Sequence, residues 1–117
     1  MLNRPLWLYN NWSAYDELSD HVKLTEALAM SQMRELVRLK GMGVPFGGYL
    51  MDAFWFEPDG GYLEWRKEGW PNGPEEWLAA CREHEILPGL WFAGNQMSHM
   101  TPIPEWMDSY CPGWNDC

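Results

Sequence analysis

Three short stretches of the chain set an indole beside polar groups at the end of an apolar run: Asn10-Asn11-Trp12, Met51-Asp52-Ala53-Phe54-Trp55 and Gly89-Leu90-Trp91-Phe92. A pyranose presents a flat patch of C–H bonds that packs on an indole face. Its hydroxyls demand paired donors and acceptors once water is excluded. One carboxylate, Asp52, with the amides of Asn11 and Asn95 and the rings of Trp12, Trp55 and Trp91, is the material of a sugar site.

Periodicity supplies the elements that must hold these residues. Residues 6–9, Leu-Trp-Leu-Tyr, read as a short strand buried on both faces, ending at Asn10. Residues 19–40 follow a helical pattern, with Ala29, Met30, Met33, Leu36 and Val37 on one stripe, and Gly41, Gly43 and Pro45 stop it. A second strand is expected over 49–56. Turn residues 57–61 then open a long loop that passes Trp65 and Trp70 and ends at Pro71-Asn72-Gly73. Pro74 at a first helical position, followed by Glu75 and Glu76, starts a second helix whose inner face is Trp77, Leu78 and Cys81. Residues 86–92 form the third strand.

The order is βαβαβ, and the strand centres fall about 40 residues apart. Parallel strands joined by helical crossovers are implied, and such sheets bind ligands beyond the carboxyl ends of their strands. Asn11, Trp12, Asp52, Trp55, Trp91 and Asn95 lie at or lead from those ends. No glycine-rich phosphate loop follows a strand, which disfavours a nucleotide fold. The reading is an α/β chain forming a partial (β/α)8 TIM barrel, about its first three βα units, with residues 1–117 as one incomplete domain.

Composition narrows the partners. Eight basic residues against 17 acidic ones give a net charge of −9, which repels nucleic acid and anionic membrane surfaces. No apolar run approaches the ~20 residues of a membrane span and no signal-peptide core opens the chain, so a soluble, cytoplasmic protein is expected. The three cysteines, Cys81, Cys111 and Cys117, make no stapled framework. Cys111 and Cys117 with His99 lack the spacing and the fourth ligand of a zinc site, so no metal or other cofactor is expected. His21, His84 and His99 show no partner spacing for a triad. Trp7, Trp77, Met30 and Met33 are read as core. Asp52 taken alone also fits a carboxylate capping backbone amides at a strand end.

The motifs together resemble the first part of the catalytic barrel of the melibiase-like α-galactosidases, retaining glycoside hydrolases. Asn10-Asn11-Trp12 is similar to their Asn-Ser-Trp after strand one, and the stretch from Met51 to Phe56 to their Leu-Asp-Asp-Gly-Trp-Phe after strand two. Glu64-Trp65 resembles the Asp-Trp of the next loop, Pro71-Asn72-Gly73 their Pro-x-Gly, and Gly89-Leu90-Trp91 their Gly-Leu-Trp on strand three. The resemblance spans residues 6–92.

It implies that Trp12 and Trp91 wall a pocket for a terminal hexose and that Asp52 holds sugar hydroxyls; with Trp65 of the next loop and with Trp55 and Asn11 at the strand ends, these make the expected substrate-binding set. Ala53 stands where the family has its second aspartate and Phe54 where it has a glycine, which loses one acceptor and adds bulk. Retaining hydrolysis needs two carboxyl groups ~5–5.5 Å apart. The family draws them from strands four and six, so no catalytic residue is expected within these 117 residues. The expected function is a fragment of an α-glycosidase acting on terminal α-linked hexose of a carbohydrate. The alternative is a non-catalytic carbohydrate-binding or vestigial barrel fragment. A full barrel takes ~250 residues, so self-association through exposed barrel edges is also expected.

Overall fold

A computed structural model of the chain describes residues 5–15, 22–59 and 61–92. Asn95, His21, His99, Cys111 and Cys117, named above, lie outside the described residues. The elements run β1 (Trp7–Asn10), a 3-10 turn (Trp12–Ala14), α1 (Glu26–Gly41), β2 (Phe46–Met51), β3 (Phe56–Glu57), β4 (Gly61–Trp65), α2 (Glu75–Glu83) and β5 (Leu87–Leu90). β1, β2 and β5 form a parallel sheet in the order β1-β2-β5, while β3 and β4 pair antiparallel as a separate hairpin. The fold is therefore mixed α/β, with a three-stranded parallel sheet and two helices.

Both helices cover the same face of that sheet, because one side chain touches both. Tyr49, fully buried at the centre of β2, sets its ring edge on Trp77 of α2 at 5.4 Å, and its hydroxyl donates to Gln32 Oε1 of α1. Leu24, Ala29, Met33, Leu36, Met51, Cys81 and Ile86 fill the space around it. Strand order and chain order agree, so each crossover steps the same way and the sheet is singly wound.

The opposite face carries the rung Leu8, Gly48, Leu87 and the next residues Leu50 and Gly89. Leu8 and Leu87 are exposed. A Cβ at Gly48 would stand 2.6 Å from Leu8 Cδ1, so the exposed Leu8 side chain would have to move aside for a larger residue there. The expectation that β1 is buried on both faces is corrected by this arrangement. Trp7, read as core, is 58% exposed, because β1 is an outer strand and no described element lies over its end. Trp77 and Met33 are core as expected, and Met30 is partly buried.

Several element boundaries differ from the expected ones. α1 begins at Glu26 because Thr25 caps it, its hydroxyl accepting from Leu28 N at 3.2 Å, while the Leu24 carbonyl that an earlier helical turn would use accepts from Trp70 Nε1 at 3.0 Å. β2 starts at Phe46 and stops at Met51, since Asp52 Oδ1 accepts from the next backbone amide, Ala53 N, at 2.8 Å and Phe54 turns left-handed at φ 71°. Residues 57–73 are not one long loop: β3 and β4 fold back within it. Pro74 caps α2 instead of opening it, and β5 is shorter than 86–92.

Candidate functional site

The site starts from the register of β1 on β2, which sets Asn10 beside Leu50 and brings Asn11 and Asp52 together just past the strand ends. Asn11 N donates to Leu50 O at 3.4 Å and Asp52 N donates to Asn11 Oδ1 at 2.8 Å, so the side chain of Asn11 continues the ladder by one rung. Asn11 is fully buried. Its Nδ2 meets no hydrogen-bond partner among the described residues, but it lies against the Tyr49 hydroxyl. Burial pushes the Tyr49 phenol well above its ordinary pKa, and the Asn11 amide offsets part of that rise.

Asp52 is held from both oxygens. Oδ2 accepts from Asn10 Nδ2 at 2.8 Å and Oδ1 accepts from Ala53 N at 2.8 Å. Asn10 is fixed in turn, its Oδ1 accepting from Trp12 N at 2.8 Å. A carboxylate oxygen has two lone pairs, so each Asp52 oxygen keeps acceptor capacity after these bonds. Asp52 as a whole is 8% exposed. Asp52 thus ends β2 as a cap, and its carboxylate lies at the carboxyl end of the sheet.

Trp12 sits on this cluster with 44% of its surface exposed. Its ring meets the edge of Tyr15 at 5.9 Å and lies almost parallel to Phe54, with centroids 6.4 Å apart and 9° between planes. Tyr15 donates its hydroxyl to Ala53 O at 2.7 Å, tying the first loop to the second. Asn10, Phe54 and Tyr15 were therefore missing from the sequence-based set of site residues. Asn10 was legible as the neighbour of Asn11; the part played by Phe54 needed the left-handed turn at its Cα.

The other indoles of the expected site, Trp55, Trp65 and Trp91, belong to a second cluster. Trp55 is only 4% exposed and donates Nε1 to Trp91 O at 2.8 Å, while Trp91 N donates to Met51 O at 2.9 Å. Trp55 stacks on Tyr62 and packs against Trp65, Phe56 and Phe92. Trp65 reaches inward to Trp70 at 5.1 Å and Trp77 at 6.3 Å, and its Nε1 meets no hydrogen-bond partner among the described residues. Among the six residues expected to bind substrate, the structure bonds Asn11 to Asp52 directly and joins Trp12 to Asp52 through Asn10. It links Trp55 to Trp91 and seats Trp65 against the aromatic core.

A cavity of about 460 Å³ lies at the other end of the sheet, where Trp7 opens β1 and Phe46 opens β2, with Lys40 and Glu85 at its wall. It is remote from Asp52 in the fold and has no part in the chemistry of that site. Among the described residues, no group of three or more His, Cys, Asp or Glu side chains is placed to hold a metal ion, and no helix is long and apolar enough to cross a membrane. No family model, curated protein or solved structure matches the chain.

Proposed function

We propose that the chain is part of an α-glycosidase of the α-galactosidase type, the first βα units of a (β/α)8 barrel, and that the rim at Asp52 holds the terminal hexose of a carbohydrate substrate. The observation that carries this reading is the anchoring of Asp52 at the carboxyl end of β2 by Asn10, whose Oδ1 also accepts from the backbone N of the exposed Trp12. A carboxylate with spare lone pairs next to an indole face is what a hexose requires. A singly wound parallel sheet with helices on one face and leucines on the other also suits a barrel, whose interior is lined by branched apolar side chains. In this reading Leu8, Leu50 and Leu87 face the barrel interior, Asn11 and Asp52 orient the rim, and Trp55, Trp65 and Trp91 stiffen the loops beneath it. The acid/base and nucleophile belong to strands outside this sequence. A buried free thiol at Cys81 fits a reducing compartment, the cytoplasm.

Glycan binding without cleavage is the second reading. It is favoured by Ala53, which is buried where the resembling enzymes carry a second hydroxyl-binding aspartate.

Titration of the 117-residue chain with methyl α-galactoside, glucose and raffinose, followed by tryptophan fluorescence, tests both. A saturable change at millimolar sugar that is lost in Trp12→Ala is expected. No saturable change with any sugar removes the site. Turnover of 4-nitrophenyl α-galactoside by the chain alone contradicts the placing of the catalytic carboxylates elsewhere, and turnover once further strands are supplied separates the enzyme from the mere binder.

A further inference from the structure

Where β1 and β2 begin, their pairing carries a bulge. Trp7 pairs with Phe46 and Leu8 with Gly48, so Gly47 has no partner on β1. The Leu6 side chain lies over that glycine, its Cδ1 2.7 Å from where a Cβ would stand. Beside the bulge opens the cavity of about 460 Å³, a size that suits a small organic ligand. Leu6, Trp7, Pro45 and Phe46 make its apolar wall, and Lys40 near the end of α1 and Glu85 after α2 supply its charges. Trp7 is 58% exposed, so an indole on this wall keeps area for a ligand.

Lys40 is the fixed polar group of the cavity. Its ammonium donates to His84 O at 2.5 Å and, at a longer 3.4 Å, to Glu85 O, which ties it to the carboxyl end of α2. Capping those carbonyls accounts for two of its three donors and leaves one N–H. Lys23, Arg38, Arg66 and Lys67 each pair with a glutamate, whereas Lys40 pairs with no carboxylate among the described residues. A half-buried cation at an apolar wall with a donor to spare matches an anion carrying an apolar body.

We propose that this cavity binds a small organic acid with a planar apolar body, its carboxylate on Lys40 and its ring against Trp7 and Phe46. A carboxylate only accepts, so it takes the remaining Lys40 N–H without leaving a donor of its own unpaired. The ring gains area on an indole and a phenyl wall. Glu85, exposed on the same wall, repels a second negative charge, which favours one carboxylate over a phosphate ester. The cavity lies at the amino end of the sheet and Asp52 at the carboxyl end, so this site stands independently of the sugar reading.

Equilibrium dialysis of the 117-residue chain against 2-naphthoate, neutral 2-naphthamide and 2-naphthyl phosphate tests it. Saturable binding of 2-naphthoate is expected, about tenfold tighter than that of the amide, the value of one charge-assisted bond, and tighter than that of the phosphate. Lys40→Met is expected to abolish the preference over the amide and Lys40→Arg to keep it. Trp7→Ala is expected to weaken naphthoate and naphthamide alike, and Trp12→Ala, at the other end of the sheet, to weaken neither. Circular dichroism checks folding. Trp7 is exposed, so Trp7→Ala carries the test if Lys40→Met does not fold. No saturable binding of 2-naphthoate by the parent overturns the proposal. So does equal affinity for acid and amide, or an acid preference that survives Lys40→Met. Binding weakened by Trp12→Ala and untouched by Trp7→Ala places the ligand elsewhere and overturns it as well.

Discussion

The Asn10 amide donates to the Asp52 carboxylate at 2.8 Å, joining residues 42 positions apart across the ends of two adjacent parallel strands. Asn10 also accepts from Trp12 N, and Asp52 also accepts from Ala53 N, so this one bond couples the two loops that form the rim. In D52N, Nδ2 at position 52 faces Asn10 Nδ2, donor against donor. A loss of about 1–2 kcal/mol in urea unfolding is expected. The swap N10D/D52N restores a donor–acceptor pair and keeps acceptors for both Trp12 N and Ala53 N. It is expected to recover at least half of the loss, and a double-mutant cycle with no coupling would show that the bond does not hold the rim.

Glu85 follows α2 at φ 54°, the second non-glycine residue in the left-handed region among the described residues. Ile86 N reaches back to Cys81 O at 2.9 Å across this turn, which is the geometry that helix ends usually give to glycine. Glu85→Gly is expected to raise stability by roughly 0.5–1 kcal/mol, the relief of the left-handed penalty less the extra freedom of glycine in the unfolded chain. A fall in the urea midpoint would mean that the Glu85 side chain contributes more than its backbone costs.

Cys81 is fully buried against the core, and burial pushes its thiol up to about 11. A raised pKa means that the folded state holds its proton where the unfolded state has released it. The contribution is therefore intact below pH 9 and is lost as pH rises from 9 towards 11, with Tyr49 acting in the same direction at higher pH. The urea midpoint is expected to fall across that window, and less steeply in Cys81→Ala. Peptide mapping after iodoacetamide at pH 8 is expected to find Cys81 unmodified in the folded chain and modified in urea.

The sheet face that carries Leu8 and Leu87 is exposed, and among the described residues β1 and β5 each have one unpaired edge. Pro88 removes a donor from the outer edge of β5, so covering the leucines is the stronger drive to associate. Two copies each carrying −9 repel one another, and salt screens that repulsion. Sedimentation velocity is expected to show a mass above the 13.7 kDa of the single chain, rising between low and moderate salt, with L8K/L87K shifting it back. A monomer at every salt concentration would refute the association.

The elements with a strong period were legible in the sequence: α1 from the stripe of Ala29, Met33 and Leu36, α2 from Trp77 and Cys81 behind two glutamates, and the parallel order from strands alternating with helices. The meeting of Asn11 and Asp52 was legible too, because residues just past the ends of neighbouring parallel strands share one rim. Boundaries were not. They depend on bonds between distant residues, such as Trp70 Nε1 with Leu24 O, which no local pattern contains.

Sequence alone determined the residue types available to the rim, the acidic charge and the βαβαβ order, since each is a property of local composition and spacing. Only the tertiary structure decided which indoles lie at its surface. Trp12 and Trp55 look alike in the chain, each an indole past a strand. Yet Trp12 stays at the surface beside Phe54, while Trp55 turns under the loop to bond the Trp91 carbonyl. The choice was made by the backbone turn between Asp52 and Trp55, where a capped carboxylate and a left-handed Phe54 reverse the direction in which successive side chains point. That direction is set by long-range packing, and spacing along the chain does not record it.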